Sequence, residues 1–288
     1  MDRNDYTDPQ CPFCTDQFKE TPPVHQVNVT RVVEKLDDDF SRNDYAAAER
    51  HLRYWIGEAE QGHDDRGLLS LKNELMGLMR KLGRGEEAQK AAGEALALVD
   101  RIGFGDTVTA GTTFVNAATV YKAFGRSAEA IPIYEKAAAI YERELSDGDM
   151  RLGSLYNNMG LALADLAVDA AENGRMDEAG EYYDRADAAY AAALRCMKLA
   201  ESGSQEMAIT YLNMADLLSA KYGFDQAEDR IYEYLGQART LLDDPKLEHD
   251  GYHAFICEKC APTFGYYGLK SFEDELKERA EKIYSENR

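Results

Sequence analysis

Two pairs of cysteines are the residues in this sequence whose type and spacing most directly suggest chemistry. Two residues separate Cys11 from Cys14, and two separate Cys257 from Cys260. This spacing lets two thiolates bind one zinc ion, but a tetrahedral structural site needs four ligands. Each pair therefore supplies half of a zinc site.

The two cysteine pairs differ in their surroundings. Four of the seven prolines lie within residues 1–26, where no helical or strand period can be traced, so we expect an extended or disordered arm there. Core packing does not explain cysteines in such an arm, which makes Cys11 and Cys14 the candidate zinc ligands. The remaining ligands would come from His25, from the second cysteine pair or from a second copy of the chain.

Cys257 and Cys260 lie in a helical pattern, at positions that bulky apolar residues take in the other helices. We therefore expect them to be small buried core residues. His249 and His253 extend them into a stripe only if the helix begins before His249. One ion cannot contact all four, because a helix rises about 1.5 Å per residue. Apart from zinc at the first pair, we expect no cofactor.

The composition excludes several classes of function. The 288 residues carry 53 Asp and Glu against 33 Lys and Arg, a formal net charge of −20. Nucleic acids and anionic membranes bind proteins through Lys and Arg, so we expect neither as a partner. There is no apolar run that would cross a bilayer, no secretory signal, and an odd number of cysteines, five. We expect a soluble, cytoplasmic, acidic protein.

The sequence also contains none of the catalytic motifs that a short pattern reveals. It has no glycine-rich phosphate loop, no H-E-x-x-H and no G-x-S-x-G, and only five histidines. The carboxylates follow helix-surface spacings and do not pair into an acid and a base. We therefore predict that the protein is not an enzyme.

Residues 27–288 show helical periodicity that Gly, Asn or Asp interrupts at short intervals, so the predicted fold is all-α. A Ser/Thr-x-x-Asn pattern ahead of apolar helices ends at Asn73, Asn116 and Asn213, and Asn157 with Asn158 forms a close variant. About six helix pairs follow, with turns at Asn43, Gly83, Gly125, Gly174, Gly223 and Gly268.

The unit at residues 116–137 resembles a tetratricopeptide repeat. The residues at the signature spacings of that family are Ala118, Tyr121, Gly125, Ala130, Tyr134 and Ala137. The spacings of 43 residues from Asn73 to Asn116 and 42 from Asn116 to Asn158 resemble those of the longer kinesin light chain repeats. The resemblance covers roughly residues 28–288. It implies a right-handed superhelical solenoid of antiparallel helix pairs, whose first helices line a concave groove.

Two departures from a regular repeat are visible. Asn158 and Asn213 are 55 residues apart, which predicts a lengthened helix pair at about 150–202. The added residues are close to two helical turns in each helix, so the pair would project about 10 Å beyond its neighbours. The turn around Gly83 is expected to be one residue longer than the turn at Gly125.

The resemblance implies a binding function. In tetratricopeptide proteins, side chains of the first helices, often Asn, hold the backbone of a bound peptide, since Asn offers uncharged donors and an acceptor. The alternative is that the same residues bond to a neighbouring repeat or cap a helix. The family's carboxylate clamp is not carried over, because too few basic residues lie beside the Asn positions. The predicted ligand-binding residues are Asn73, Asn116, Thr119, Lys122, Asn157, Asn158, Asn213 and Asp216.

The leading hypothesis is a non-catalytic scaffold that binds a protein or peptide segment in the concave groove. The negative charge favours basic or neutral segments through long-range steering. Two alternatives are kept. One is a self-assembling structural protein, a homodimer formed through the lengthened pair or the terminal helix. The other is a zinc-binding adaptor that uses Cys11 and Cys14.

Overall fold

The structure is a computed structural model that describes residues 25–200 and 203–286. Twelve α-helices and no strand occur among these residues. In chain order the helices are α1 (Val29–Ser41), α2 (Tyr45–Gln61), α3 (Asp65–Lys81), α4 (Gly85–Arg101), α5 (Val108–Ala123), α6 (Ser127–Glu144), α7 (Met150–Glu172), α8 (Met176–Leu199), α9 (Ser204–Tyr222), α10 (Phe224–Leu242), α11 (Gly251–Tyr266) and α12 (Lys270–Glu286).

The helices form six consecutive pairs, each joined by a short turn with one residue at positive φ. In the first pair this residue is Asn43, with φ of 56°, and in the third it is Gly125, with φ of 76°. Asn and Gly adopt left-handed backbone at the lowest cost, which explains why the turns fall where the sequence predicts them. The all-α helical-repeat fold with six pairs is confirmed.

The turn around Gly83 differs from its prediction. Three residues separate α3 from α4, and three also separate α5 from α6, so the two turns are equally long. Gly85, which the sequence suggests as part of the turn, is the first residue of α4. A glycine in the first turn of a helix is tolerated, so its presence does not mark the end of a loop.

Polar side chains fix where most of the first helices begin. Asp64 caps α3 by accepting a hydrogen bond from the backbone N–H of Gly67 at 2.9 Å. Its other oxygen accepts from the backbone N–H of Val27 at 2.8 Å, which ties the segment before α1 to the start of α3. Side-chain caps of the same kind begin α1, α5, α7 and α11.

The chain divides into two compact units, Met1–Ile140 and Tyr141–Arg288, with the boundary inside α6. The described core of the first unit contains fully buried leucines and methionines such as Leu52 and Met76. In the second unit, helices α9 to α12 share one apolar cluster, in which the rings of Phe264 and Phe272 lie 4.7 Å apart. Within each unit, the helix pairs thus bury their apolar faces against one another.

Helices α7 and α8 have 23 and 24 residues and are the longest of the twelve. They can approach closely because small residues line their contact: Gly160 faces the ring of Tyr190, and both residues are buried. Within residues 25–200 and 203–286, no helix combines the length and the apolar character that crossing a membrane requires.

Candidate binding groove

Asparagines of successive first helices bond to one another in the first unit. Asn73 on α3 donates from Nδ2 to the carbonyl oxygen of Leu69 at 2.9 Å and to Thr113 Oγ1 at 3.0 Å. Its Oδ1 accepts a hydrogen bond from Asn116 Nδ2 on α5 at 2.9 Å. Asn73 therefore joins α3 to α5 through one amide N–H and its oxygen, while its bond to Leu69 stays within α3.

The second unit repeats this arrangement with Asn157 on α7. Asn157 Oδ1 accepts from Thr210 Oγ1 at 3.1 Å and from Asn213 Nδ2 at 2.9 Å, and both donors lie on α9. Asn157 is 9% exposed, whereas its neighbour Asn158 is partly open to solvent. Asn157, and not Asn158, is therefore the equivalent of Asn73, one residue earlier than the sequence spacing indicates.

These bonds give four predicted ligand-binding residues, Asn73, Asn116, Asn157 and Asn213, a structural role between repeats. Thr119 has a structural role within one helix pair, because its hydroxyl donates to the carbonyl oxygen of Val115 at 2.8 Å and lies 3.0 Å from the hydroxyl of Tyr134 on α6. Lys122 is half-buried in the last turn of α5. Ligand contact at all these residues stays a prediction.

Asn158 lines a cavity of about 160 Å³ formed by the first helices of the second unit, which we call the Asn158 cavity. Its walls come from α7, α9 and α11, with Tyr252, Phe255 and Lys259 contributed by α11. The hydroxyl of Tyr252 donates to Glu206 Oε1 at 2.5 Å, while Glu206 Oε2 is buried without a hydrogen-bond partner. The cavity combines an aromatic wall with amide and charged groups.

Asp216 lines a second cavity, of about 680 Å³, between α9 and α11, which we call the Asp216 pocket. Its Oδ1 accepts a hydrogen bond from the hydroxyl of Tyr267 at 2.9 Å. Asp216 is open to solvent, but surrounding protein partly desolvates its carboxylate and raises its pKa above the ordinary value, and the Tyr267 bond lowers that pKa to a smaller extent. The predicted site residue Asp216 thus lies beside a cavity that is large enough to hold a side chain.

One face of α11 connects the two cavities. Tyr252, Phe255, Lys259, Pro262 and Tyr266 follow each other at alternating steps of three and four residues, which places them on one stripe of the helix. Tyr252 is 46% exposed, Phe255 49% and Tyr266 77%. We call this stripe, with the two cavities beside it, the first-helix groove. Large exposed rings on one surface are typical of interaction sites.

Two cavities of the first unit have a different character, because most of their charged side chains already pair with each other. In the cavity of about 370 Å³ between α2, α3 and α4, the buried Lys72 contacts Glu94 at 2.6 Å and Arg53 contacts Glu87 at 2.6 Å. The cavity of about 650 Å³ beside α1 and α2 is lined by Asp39, which both Lys35 and Arg42 contact at 2.8 Å. Arg50 also lines the cavity beside α1 and α2 and has no ion pair with a described residue, so that cavity offers a positive group, whereas the Asp216 pocket offers a carboxylate.

The second cysteine pair packs in the core, as the sequence predicts. Cys257 and Cys260 are buried, and burial raises the pKa of Cys257 to about 11 and that of Cys260 to about 12, so both are neutral thiols near pH 7. The described residues contain no group of three or more His, Cys, Asp or Glu side chains that could hold a metal ion. Cys11 and Cys14 lie outside the described residues, so zinc at that pair stays a prediction.

Sequence reasoning missed the aromatic part of the groove, which consists of Tyr252, Phe255 and Tyr266. A signal was present, because these residues share the heptad-like spacing of one helix face. That spacing normally indicates a buried seam. In α11, the first helix of the sixth pair, this stripe is nevertheless exposed. The exposure becomes visible only when α11 is placed against α9.

Comparisons with known proteins agree with this architecture. A model of the tetratricopeptide repeat family matches residues 68–143. The crystal structure of BtubC (BKLC) from P. vanneervenii is similar with a TM-score of 0.60 and 20% identity, over 76% of this chain and 83% of that one. Among curated proteins, none is similar enough to count as a match.

Two further solved structures are similar at lower TM-scores. The nearly identical TPR-like repeats of a Podosopora anserina protein give a TM-score of 0.43 and 18% identity, over 75% of this chain and 95% of that one. A tetratricopeptide repeat protein from Parabacteroides merdae gives 0.36 and 18%, over 88% and 98%.

Residues 68–143 are therefore similar to tetratricopeptide repeats, and the predicted family resemblance is confirmed. The chain has the helical-repeat fold of the BtubC structure. This fold generally serves protein–protein interaction, and proteins that have it are typically non-catalytic scaffolds.

Proposed function

We propose that this chain is a non-catalytic scaffold that binds a segment of another protein along the first-helix groove. The observation that carries the proposal is the stripe of exposed rings on α11 between two cavities. Aromatic residues at a concave surface contribute most to the binding of protein segments, since each buries a large apolar area.

Polar groups beside these rings suit a peptide backbone. The side chain of Asn158 makes no hydrogen bond with another described residue, and it lines the same cavity as Phe255. Its amide can both donate to and accept from a peptide group, so it would fix the direction of a bound segment. Asn157 and Asn213 hold α7 and α9 together behind it, which keeps the groove in one shape.

A random 16-residue peptide library displayed on phage, selected on the full chain, tests this proposal. Selected peptides are synthesised with a fluorophore, and their affinities are measured by fluorescence anisotropy. We expect Phe255→Ala to weaken binding about tenfold, because a buried ring typically contributes more than about 1 kcal/mol at such a site. Asn158→Ala should weaken it by about 1 kcal/mol through the loss of a hydrogen bond.

Tyr54→Ala is the matched control, because Tyr54 is also an exposed ring, 60% exposed, but lies on α2 in the other unit. Its affinity should equal that of the wild type. Peptides that bind Phe255→Ala and Asn158→Ala as tightly as the wild type would show that the groove is not the binding site. A selection that enriches no peptide over an uncoated surface would contradict segment binding itself.

Self-assembly is the second candidate function, and one observation favours it. Met176 is 66% exposed and Val168 37% exposed near the turn that joins the lengthened helices α7 and α8. An exposed apolar tip of this kind suits contact with a second copy of the chain. Sedimentation equilibrium should then show a dimer that Met176→Glu dissociates. A wild-type monomer at every concentration would remove this candidate.

A zinc-binding adaptor is the third candidate, based only on the spacing of Cys11 and Cys14. Metal analysis of protein purified without chelator should find one zinc ion that is lost in Cys11→Ser. Protein without zinc would remove the adaptor. Cytoplasmic location stays a prediction, as does the absence of nucleic-acid partners.

A further inference from the structure

The Asp216 pocket presents a carboxylate that no positive group among the described residues neutralises. No ion pair of Asp216 occurs in the described part of the chain, and its only hydrogen bond comes from the neutral hydroxyl of Tyr267, on Oδ1. The nearest lysine in sequence, Lys221, contacts Asp184 at 2.6 Å instead. Oδ2 of Asp216 is therefore available to a donor that comes from outside.

The partial desolvation of Asp216 strengthens its interaction with a positively charged donor. Protein surrounds the carboxylate enough to raise its pKa, so its charge is less well solvated than that of an ordinary surface aspartate. A carboxylate in this setting interacts more strongly with an incoming cation than a fully hydrated one does, because the local dielectric constant is lower.

Aromatic rings form the other wall of the pocket. Tyr266 is 77% exposed, the largest exposed fraction among the large apolar side chains described. Its ring meets the ring of Tyr267 edge to face, with centroids 4.9 Å apart. Ser219 and Thr263 supply hydroxyl groups at the rim. A cation at such a site is attracted both by the face of the exposed ring and by the charge of the neighbouring carboxylate.

A guanidinium group fits this combination better than other side chains do. It is planar, so it stacks on a tyrosine ring, and its fixed fork of N–H groups matches a carboxylate. The volume of about 680 Å³ leaves ample room for it. Among the described residues no Lys or Arg lines the pocket, so an incoming cation meets no like charge from them. The net charge of −20 attracts basic segments over longer distances.

We propose that the Asp216 pocket holds an arginine side chain of the protein segment that binds in the first-helix groove. The guanidinium contacts Asp216 Oδ2 and stacks on Tyr266, while the rest of the segment runs along α11 towards Phe255. This inference rests on the proposed function, whose partner it defines as a segment with an arginine beside apolar residues.

The test uses tripeptides, which need no knowledge of the natural partner. Acetyl-Ala-Arg-Ala-amide is titrated into the ¹⁵N-labelled full chain at pH 7, and backbone amide shifts are followed by NMR. We expect saturable shifts at Ser219, Thr263 and Tyr266. The same tripeptide with citrulline, which keeps the shape of arginine without its charge, should bind at least tenfold more weakly.

Asp216→Asn tests the role of the carboxylate with little risk to the fold, since an amide oxygen still accepts from Tyr267. This variant should bind the arginine tripeptide at least tenfold more weakly than the wild type. Glu233→Gln is the matched control, because it removes one exposed charge from α10 of the same unit. It should leave the affinity unchanged.

Three results would overturn the inference: citrulline and arginine tripeptides of equal affinity, an unchanged affinity in Asp216→Asn, or shifts confined to other helices. Equal affinity of a lysine tripeptide would overturn the choice of a guanidinium. Failure here is distinguishable from failure of the proposed function. A selected peptide that Phe255→Ala weakens and Asp216→Asn does not would keep the groove and remove the arginine.

Discussion

Single amide groups hold successive first helices together in both units. Asn73 connects α3 to α5, and Asn157 connects α7 to α9 with two accepted hydrogen bonds. A buried amide that loses its partners costs free energy, so such residues specify the register of the helices as well as their stability. Adjacent residues of one helix can therefore contribute very differently to the stability of the fold.

Asn157 and Asn158 provide a direct comparison of this kind. We expect Asn157→Ala to lower the free energy of unfolding by about 1–3 kcal/mol, because Thr210 and Asn213 lose their common acceptor in a buried site. Asn158→Ala, one residue away and partly exposed, should change it by less than about 0.5 kcal/mol. Urea unfolding followed by circular dichroism measures both. Equal effects would contradict the assignment of the structural role to Asn157.

His253 gives the second unit a dependence on pH. It is fully buried, with Nδ1 3.0 Å from Gln205 Oε1 and Nε2 3.4 Å from Cys257 Sγ. Burial, followed by His249 and Arg279, lowers the pKa of His253, while Asp250 raises it slightly. The unfolded chain, with a histidine pKa of about 6.5, then binds more protons than the folded chain as pH falls below that value.

Stability from His253 is thus present above about pH 6.5 and is lost as the pH falls through its lowered pKa in the folded state. The urea midpoint should fall between pH 7.5 and 5.5 more steeply in the wild type than in His253→Gln. His63→Asn is the control, because His63 is exposed at φ of 54°, which Asn tolerates. It should keep the wild-type dependence. Parallel curves for wild type and His253→Gln would contradict this account.

The sequence predicts residues whose role follows from helical periodicity and misses those that depend on placement between helices. Burial of Cys257 and Cys260 follows from periodicity and is observed. The side chains of Asn157 and Asn158 differ in direction by about 100° around the helix axis. Because this helix pair is lengthened, the repeat spacing does not indicate which of the two faces α9. The exposure of Tyr266 depends on what packs beside α11, which no local pattern records.

At the scale of elements, close packing of α7 and α8 supports their unusual length. A Cβ atom at Gly160 would lie 2.6 Å from Cε1 of Tyr190, whose ring is 1% exposed and has no free space to move into. Gly180 on α8 is different, because a Cβ atom there would have no neighbour within 4 Å. Packing therefore requires glycine at position 160, whereas the glycine at position 180 is replaceable.

Alanine at these two positions should have effects of opposite sign. Gly160→Ala should lower the free energy of unfolding by about 1–3 kcal/mol through overpacking. Gly180→Ala should raise it by about 0.5–1 kcal/mol, because alanine favours the helix interior. Thermal or urea unfolding decides between them. A Gly160→Ala variant as stable as the wild type would show that the approach of α7 to α8 does not depend on Gly160.

The order of the elements was predictable because each turn carries its own signal. Positive φ at Asn43 and at the glycines of the other five pair turns fixes the turns, and the spacing of recurring Asn residues fixes the repeat. The start of α4 was not predictable in the same way, since Gly85 looks like a turn residue and is helical. Local propensity is a weak guide where the neighbouring repeat determines the boundary.

At the scale of the whole molecule, positive groups are scarce and most of those in the cavities are already paired. The cavities of the first unit contain ion pairs such as Lys72 with Glu94, whereas the Asp216 pocket of the second unit contains an unneutralised carboxylate. With a net charge of −20, an attractive interaction with a basic segment is the simplest way to reduce this imbalance. The proposed binding site therefore lies in the second unit.

The most direct test of groove binding is to locate a bound peptide. A phage-selected peptide with a nitroxide label at one end is added to the ¹⁵N-labelled chain, and the loss of amide signals near the label is measured. The account predicts strong loss on the first-helix groove, at residues such as Lys259 and Thr263, and little at Glu233 on α10 or Lys277 on α12. Signal loss concentrated on α10 and α12, with α9 and α11 unaffected, would contradict it.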